Sequence, residues 1–232
     1  VLAAVVAGGV GLWYLFFRPG GPPPVSLASL PPASSAVPAS PAGSGSGGGI
    51  AGTWQVDPTV GSFSDFSGSF AGYRVREELA RVGATEAVGR TPEVMGTLTV
   101  EGTTVTTAEI TVDLTTLRSD EANRDRQLSR QALETAQFPT ATFTLGEPVD
   151  LGGVPAQGAT LDLTLNGELT LHGVTNRVAI PVQARLDGDV VTVAGSLEIV
   201  FADYGIERPQ AVIVLSVEDR GVMEFQLHFR RS

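Results

Sequence analysis

Between residues 118 and 134, Arg118, Arg124, Arg126 and Arg130 are interleaved with Asp120, Glu121, Asp125 and Glu134. A guanidinium turned inward presents a planar fork of donors, which suits a carboxylate, phosphate or pyrophosphate headgroup. The plain alternative is a solvated helix with charges at i,i+4 spacing, such as Glu121 with Asp125 and Arg130 with Glu134, of which only the second pair attracts. Elsewhere the sequence offers little for catalysis. His172 and Gly173 break an alternating run, Gly173 being suited to a turn's positive φ, and no Ser or Cys nucleophile motif accompanies the histidine, so it reads as turn chemistry. Asp203 and Glu207 can be drawn as a carboxylate pair for hydrolysis, but nothing else in the sequence supports that reading.

The chain has no Cys, which removes disulfides, thiolate chemistry and Cys-based zinc sites, and only two His; no cofactor or metal is expected. Its first fifty residues hold no acid and a single Arg, so the remainder carries 14 basic and 25 acidic residues, a net charge of −11. That balance argues against nucleic acid and against anionic lipid surfaces.

Residues 1–17, "VLAAVVAGGVGLWYLFF", are uncharged, with Trp13 and Tyr14 where an interfacial aromatic belt would lie. At 1.5 Å per residue they rise about 25 Å, slightly short of a hydrocarbon core. A transmembrane anchor is expected, with a cleaved signal segment as the alternative. Residues 18–50 are rich in Pro, Gly and Ser and read as a disordered linker. As a free coil such a segment spans roughly 30 Å. Residues 51–232 are expected to form one domain.

That domain reads as consecutive strands. In "LDLTLNGELTL" the apolar residues Leu161, Leu163, Leu165, Leu169 and Leu171 keep one parity. Val178, Ile180, Val182 and Leu186 follow, then an Asp187-Gly188 hairpin signal, then Val191, Val193, Leu197 and Ile199. Further alternation at 98–100, 110–114, 143–145, 213–217 and 223–229 brings the count to eight or nine strands. Strands joined without crossover helices are antiparallel, and their apolar faces must close on themselves. The expectation is an all-β, up-and-down lipocalin-like barrel of about eight strands with a short helical insertion; a sandwich with a solid core is the alternative. The insertion covers residues 116–137, where Ser119 or Asp120 would cap a helix and Leu117, Leu128, Leu133 and Phe138 would face the barrel.

Four stretches carry a resemblance to a known family: "GTWQVDP" with Ser62 and Phe66, "RDRQLSRQALETAQFPTATF", "GELTLHGVTNRV" and "FADYGI". In this order they resemble the YceI-like family across nearly all of residues 52–231. The resemblance implies an exported, lipocalin-like barrel that binds polyisoprenoids or other long-chain amphiphiles and is not an enzyme. This chain departs from the common pattern at Arg126-Gln127, where the family has His, at Ala132-Leu133, where it has Phe-Phe, and in its apparent anchor. The resemblance singles out Arg124, beside Asp125, as the arginine held inside by a buried partner, because an unpaired buried charge is costly. The other three fit the solvated-helix alternative.

The expected lining of the barrel is Phe143, Leu163, Leu165, Leu169, Ile180, Val182, Phe201 and Phe225. Phe63, Phe66 and Phe70, with Tyr73 beyond, recur at three- and four-residue steps and would gather rings at an opening. With Arg124 these are the candidate ligand-binding residues, and no catalytic residue is assigned. The expected function is a membrane-tethered, extracytoplasmic module, periplasmic or at the cell surface, that sequesters or carries a polyisoprenoid, isoprenoid quinone or fatty-acid-like lipid. The alternatives are a packed envelope structural or stress-response module and a lipid or glycan hydrolase. Expected partners are the lipid, the membrane reached through the N-terminal helix and, if the chain pairs with itself, a second copy in a homodimer.

Overall fold

The computed structural model describes residues 22–27, 49–79, 83–207 and 214–232. The expected membrane segment, residues 1–17, lies outside the described residues. Among the described residues no helix is long and apolar enough to cross a membrane.

Twelve strands are described: β1 (Gly52–Val56), β2 (Phe70–Leu79), β3 (Gly83–Thr91), β4 (Val94–Glu101), β5 (Thr104–Asp113), β6 (Thr140–Leu145), β7 (Val149–Asp150), β8 (Thr160–Leu171), β9 (Val174–Asp187), β10 (Val190–Val200), β11 (Val214–Val217) and β12 (Arg220–Arg231). Eight pair antiparallel in the order β1-β4-β5-β6-β8-β9-β10-β12, and β12 returns to β1 through Trp54 opposite Arg231 and Val56 opposite Phe229. This is the expected closed eight-stranded barrel, and closure leaves the ring no free edge. Beyond β1, the same edge of β12 pairs with β2, from Val222 opposite Arg74 to Gln226 opposite Phe70. β3 and β11 pair with β2 in turn.

Strand parity follows the alternation in the sequence. On β12, Met223, Phe225, Leu227 and Phe229 face the barrel interior with Leu163, Leu165, Leu169, Ile180 and Val182 from β8 and β9. Two glycines on the inward parity make room for rings on neighbouring strands. A Cβ on Gly195 would lie 2.8 Å from the Phe225 ring, and one on Gly167 would lie 2.7 Å from the Phe143 ring. The β9–β10 turn sits one residue later than the Asp187-Gly188 signal suggests, since Asp187 still pairs with Val190 and Gly188 takes the first turn position at φ 63°.

The helical insertion is present but starts later than expected. Helix α1 spans Ala122–Gln127 and is capped by Glu121, whose carboxylate accepts from the Asn123 amide, not by Ser119 or Asp120. Ser119 and Asp120 are used elsewhere, bonding Asp125 and Arg124 respectively. The chain continues into a π turn over Leu128–Ala132, closed by the Leu133 amide donating to the Leu128 carbonyl at 2.8 Å. Leu114, Leu117 and Leu133 pack there with Leu128 across one end of the barrel. Phe138 instead lies on His172, with ring centroids 4.6 Å apart, covering the β8–β9 turn. His172 and Gly173 are that turn's central residues, at φ 51° and 75°.

The outer face of β12, β2, β3 and β10 is also covered. Glu224, Gln226, His228, Arg74, Arg90 and Thr192 are buried although they point away from the interior. Part of the cover is the loop between β1 and β2: Gln226 donates to the Phe66 and Gly68 carbonyls, and His228 bonds Ser67. The other part is residues 22–27, which lie in the stretch expected to be a free linker yet rest on this face, with Leu27 only 1% exposed.

Candidate functional site

Two apolar chambers run along the barrel. The inner one, about 160 Å³, is lined by apolar side chains apart from Thr142 and Arg185, and it holds Phe143, Leu163, Leu165, Leu169, Ile180, Val182 and Phe225. Trp54 and Ile50 close its far end, bonded to each other through the indole N–H donating to the Ile50 carbonyl at 2.9 Å. The outer chamber, about 450 Å³, contains Tyr73, Phe201 and Arg124 and opens at the end carrying α1. Ala71, Val112, Ala141, Leu169 and Met223 border both chambers, and these five side chains make up the boundary, or neck, at which the two abut.

Phe63, Phe66 and Phe70 do not stand at an opening. They do gather, with edge-to-face centroid distances of 5.5 and 5.8 Å, but they line neither chamber. Phe70 opposes the outward Gln226 on β12, and the Phe66 and Phe70 rings stack on the Arg90 guanidinium at 4.5 and 4.3 Å. Phe66 reaches that position through a φ of 58°, a conformation bulky residues seldom adopt. Three-residue spacing correctly places these rings together, but strand parity sends Phe70 and Tyr73 to opposite faces of β2.

Tyr73 and Arg124 meet at the mouth. Arg124 Nη2 donates to Glu77 Oε1 at 2.8 Å and Nη1 to Asp120 Oδ1 at 2.6 Å, so its buried partner is Glu77 on β2 and not the adjacent Asp125. Asp125 instead accepts from the Ser119 amide and hydroxyl. Burial alone would loosen Arg124's proton, but the bonds and charge of Glu77 and Asp120 outweigh it and the guanidinium's pKa is raised. Burial pushes the Tyr73 phenol far above its usual value, with the Arg124 charge opposing, so the group stays a neutral donor. Its hydroxyl is buried and has no hydrogen-bond partner among the described residues.

Among the described residues the charge around the mouth is anionic: Glu77, Asp120 and Glu121 border the outer chamber together with the guanidinium of Arg124. Asn123 and Gln127 supply neutral amides beside them. The other three arginines of the insertion lie outside the chambers, around a shallow cleft on the far side of α1. Arg118 donates to the Leu117 carbonyl at 2.7 Å and Arg126 bonds Asn123. Glu134 pairs with His172 at 2.9 Å and not with Arg130.

Sequence reasoning missed Glu77, Asp120 and Gln127 at the mouth and Trp54, Leu98, Leu227 and Phe229 in the lining. For Glu77 a signal was present, because Tyr73, Val75 and Glu77 share the inward parity of β2. The run of charges in "YRVREEL" hides that parity.

A model of the YceI-like domain matches residues 51–229. A UPF0312 protein of Shewanella baltica is 33% identical over 114 residues, covering 48% of this chain and 56% of its own length; the chain thus spans little more than half of that curated relative. Among solved structures, a polyisoprenoid binding domain from Saccharophagus degradans implicated in plant cell wall breakdown superposes with TM-score 0.57 at 20% identity, covering 77% of this chain and 98% of its own. A YceI protein of Campylobacter jejuni gives TM-score 0.52 at 11% identity, covering 62% and 84%. These likenesses support the barrel, and the domain match over most of the chain, together with the four motif stretches it contains, shows that the chain belongs to the YceI-like family.

Proposed function

We propose that the barrel holds the hydrocarbon tail of a long-chain isoprenoid amphiphile in its two chambers and leaves the headgroup at the mouth beside Tyr73, Asn123 and Gln127. The observation that carries this reading is that the two chambers abut: both are bordered by Ala71, Val112, Ala141, Leu169 and Met223, so a tail that filled both would pass between these side chains. Sequestering a tail there releases about 25 cal/mol per Å² of apolar surface and needs no directional contact. The outer chamber alone falls within the 300–1,000 Å³ typical of ligand sites. The likeness to the polyisoprenoid binding domain from Saccharophagus degradans supports the same ligand class.

The headgroup we favour is uncharged. Arg124 is already neutralised by Glu77 and Asp120, and a phosphate at the mouth would meet three carboxylates. A carbonyl oxygen, as on a quinone, would instead satisfy the unpartnered Tyr73 hydroxyl. Residues 1–17 would then hold the domain at the membrane, on the extracytoplasmic side.

The test is mass spectrometry of lipid extracted from the purified full chain, followed by uptake of an isoprenoid quinone and of a prenyl phosphate of equal tail length. Recovery of a long-chain lipid and preferential uptake of the quinone are expected. A well-folded protein that comes out empty and takes up neither would sink the reading in favour of a packed envelope module. Preference for the phosphate would overturn the headgroup assignment.

A further inference from the structure

We propose that the outer face formed by β9, β10, β12, β2 and β3 is a receptor for an extended, proline-rich segment, and that residues 22–27 of this same chain are its occupant. A barrel's outward residues ordinarily face water. Here Glu224 is 1%, Arg90 3% and Arg74 5% exposed, so charged groups on that face have been taken out of solvent. Charges go dry only where their partners are complete.

The partners are complementary in kind. Pro22, Pro23 and Pro24 have no backbone N–H and therefore present only carbonyl acceptors, while their fixed φ keeps the segment extended. The barrel answers with donors: Arg74 Nη2 to the Pro22 carbonyl and Arg90 Nη2 to the Pro23 carbonyl at 3.1 Å. At the other end of the segment both backbone groups of Leu27 are engaged, the amide donating to Gln183 Oε1 at 3.3 Å and the carbonyl accepting from Arg185 Nη1 at 3.5 Å. The Leu27 side chain is almost fully buried.

The donors are set in place by the barrel itself. Glu224 takes Arg74 Nε at 2.6 Å and Arg90 Nε and Nη2 at 2.8 and 2.6 Å, and Glu86 takes Arg74 Nη1 at 2.8 Å. The rings of Phe66 and Phe70 fix the Arg90 plane. The carboxylates of Glu224 and Glu86 thus balance the two cations while each arginine keeps an N–H for a proline carbonyl, which recognises a proline-rich backbone through its surplus of acceptors. One consequence concerns reach. From Phe17 to a docked Pro22 is five residue steps, at most about 18 Å, whereas a free linker over residues 18–50 spans roughly 30 Å on average and far more when stretched. A docked segment therefore holds the barrel close to whatever holds residues 1–17.

The chain contains no cysteine, so spin labels attach only where cysteines are introduced. Pro24→Cys and the exposed Glu198→Cys on β10 are labelled in the full chain, held in detergent micelles, and their separation is read by double electron–electron resonance. A single narrow distance distribution is expected. It should be lost in a variant with Gly or Ser at positions 22, 23 and 25–27, and also in Leu27→Asp, with circular dichroism reporting the barrel intact. If either variant fails to fold, the other supplies the comparison. A broad distribution in the otherwise unaltered chain, or a narrow one that survives replacement of the segment, overturns the proposal. Neither readout involves lipid, so the result is independent of what the chambers bind.

Discussion

Replacing Arg124 with Ala separates the structural from the ligand-reading role of the mouth. The side chain makes two ion pairs of unequal worth. Asp120 is 74% exposed, and a pair so open to water contributes about 0–1 kcal/mol. Glu77 is 8% exposed and Arg124 21%, and removing one partner of a buried pair costs about 3–5 kcal/mol because the other charge is stranded. With a fifth of the arginine still wet, the cost falls to the lower end of that range or just below it, about 2–3 kcal/mol in all. For a domain of this size that corresponds to a fall in Tm of about 4–12 °C, measurable by circular dichroism or calorimetry. Most of the loss should return in Arg124→Ala/Glu77→Gln, since the second change removes the stranded charge, whereas Asp120→Asn alone should move Tm little. Below the melting range, Arg124→Ala should retain an isoprenoid quinone to within about twofold, because the guanidinium is occupied by carboxylates. A variant that keeps its Tm but loses lipid would refute the argument, and would identify Arg124 as a direct reader of the headgroup.

Glu224→Ala leaves Arg74 and Arg90 facing each other with only the partly exposed Glu86 as counter-charge, and should cost about 3–5 kcal/mol in thermal or urea unfolding. A loss below about 1 kcal/mol would mean that water reaches the cluster. His228 is held neutral, its Nε2–H donating to the Ser67 carbonyl at 2.9 Å and Nδ1 accepting from Thr192 at 3.0 Å, and burial, with the Arg185 charge adding, lowers its pKa against the opposing pull of Ser67 and Asp57. The unfolded chain then binds the extra proton first, so stability is full above about pH 6.5 and falls as pH drops below it, by up to about 1.4 kcal/mol per unit. Urea titrations between pH 7 and 5 should show this slope, and His228→Gln should flatten it; an unchanged slope would assign it to other groups. Ala141→Phe places a ring in the neck and should shorten the longest tail retained, at an overpacking cost of about 1–3 kcal/mol. Mass spectrometry showing the same tail-length distribution as the parent would indicate that the tail does not pass the neck.

Strands whose inward residues are large and branched were legible before any coordinates. Leu161 to Leu171, Val178 to Leu186 and Met223 to Phe229 each keep one apolar parity, with Gly167 as the break in the first, and each run occupies the predicted face. β3, "GATEAVGRT", carries almost no bulky apolar residue and β1 is only five residues long, so neither signals a strand by itself; both are held by pairing with neighbours distant in the chain. The chamber lining was readable because parity alone decides it. The mouth was not, since Glu77 meets Arg124 across 47 residues and no local spacing encodes that contact. The phenylalanine cluster misled because a three-residue rhythm says that rings meet but not on which side of a sheet. Residues 22–27 misled in a related way: a proline-rich composition shows that a segment cannot build its own core, and is silent on whether another core receives it.

β12 has no solvent face along most of its length. Its odd residues stand in the apolar interior, and Glu224, Gln226 and His228 between them are each no more than 5% exposed. An ordinary barrel strand can slip or drift on its wet side at little cost. Here a slip of one residue would drive a carboxylate, an amide and an imidazole into the apolar chambers and turn aromatic rings onto a bed of guanidiniums. The strand is thereby pinned in register from both sides at once, and it borders β10 on one edge and β1 and β2 in succession on the other. Substitutions tolerated elsewhere on the barrel's exterior should find no permissive position between Met223 and Phe229, which makes this stretch the axle on which both the interior and the outer clasp are aligned.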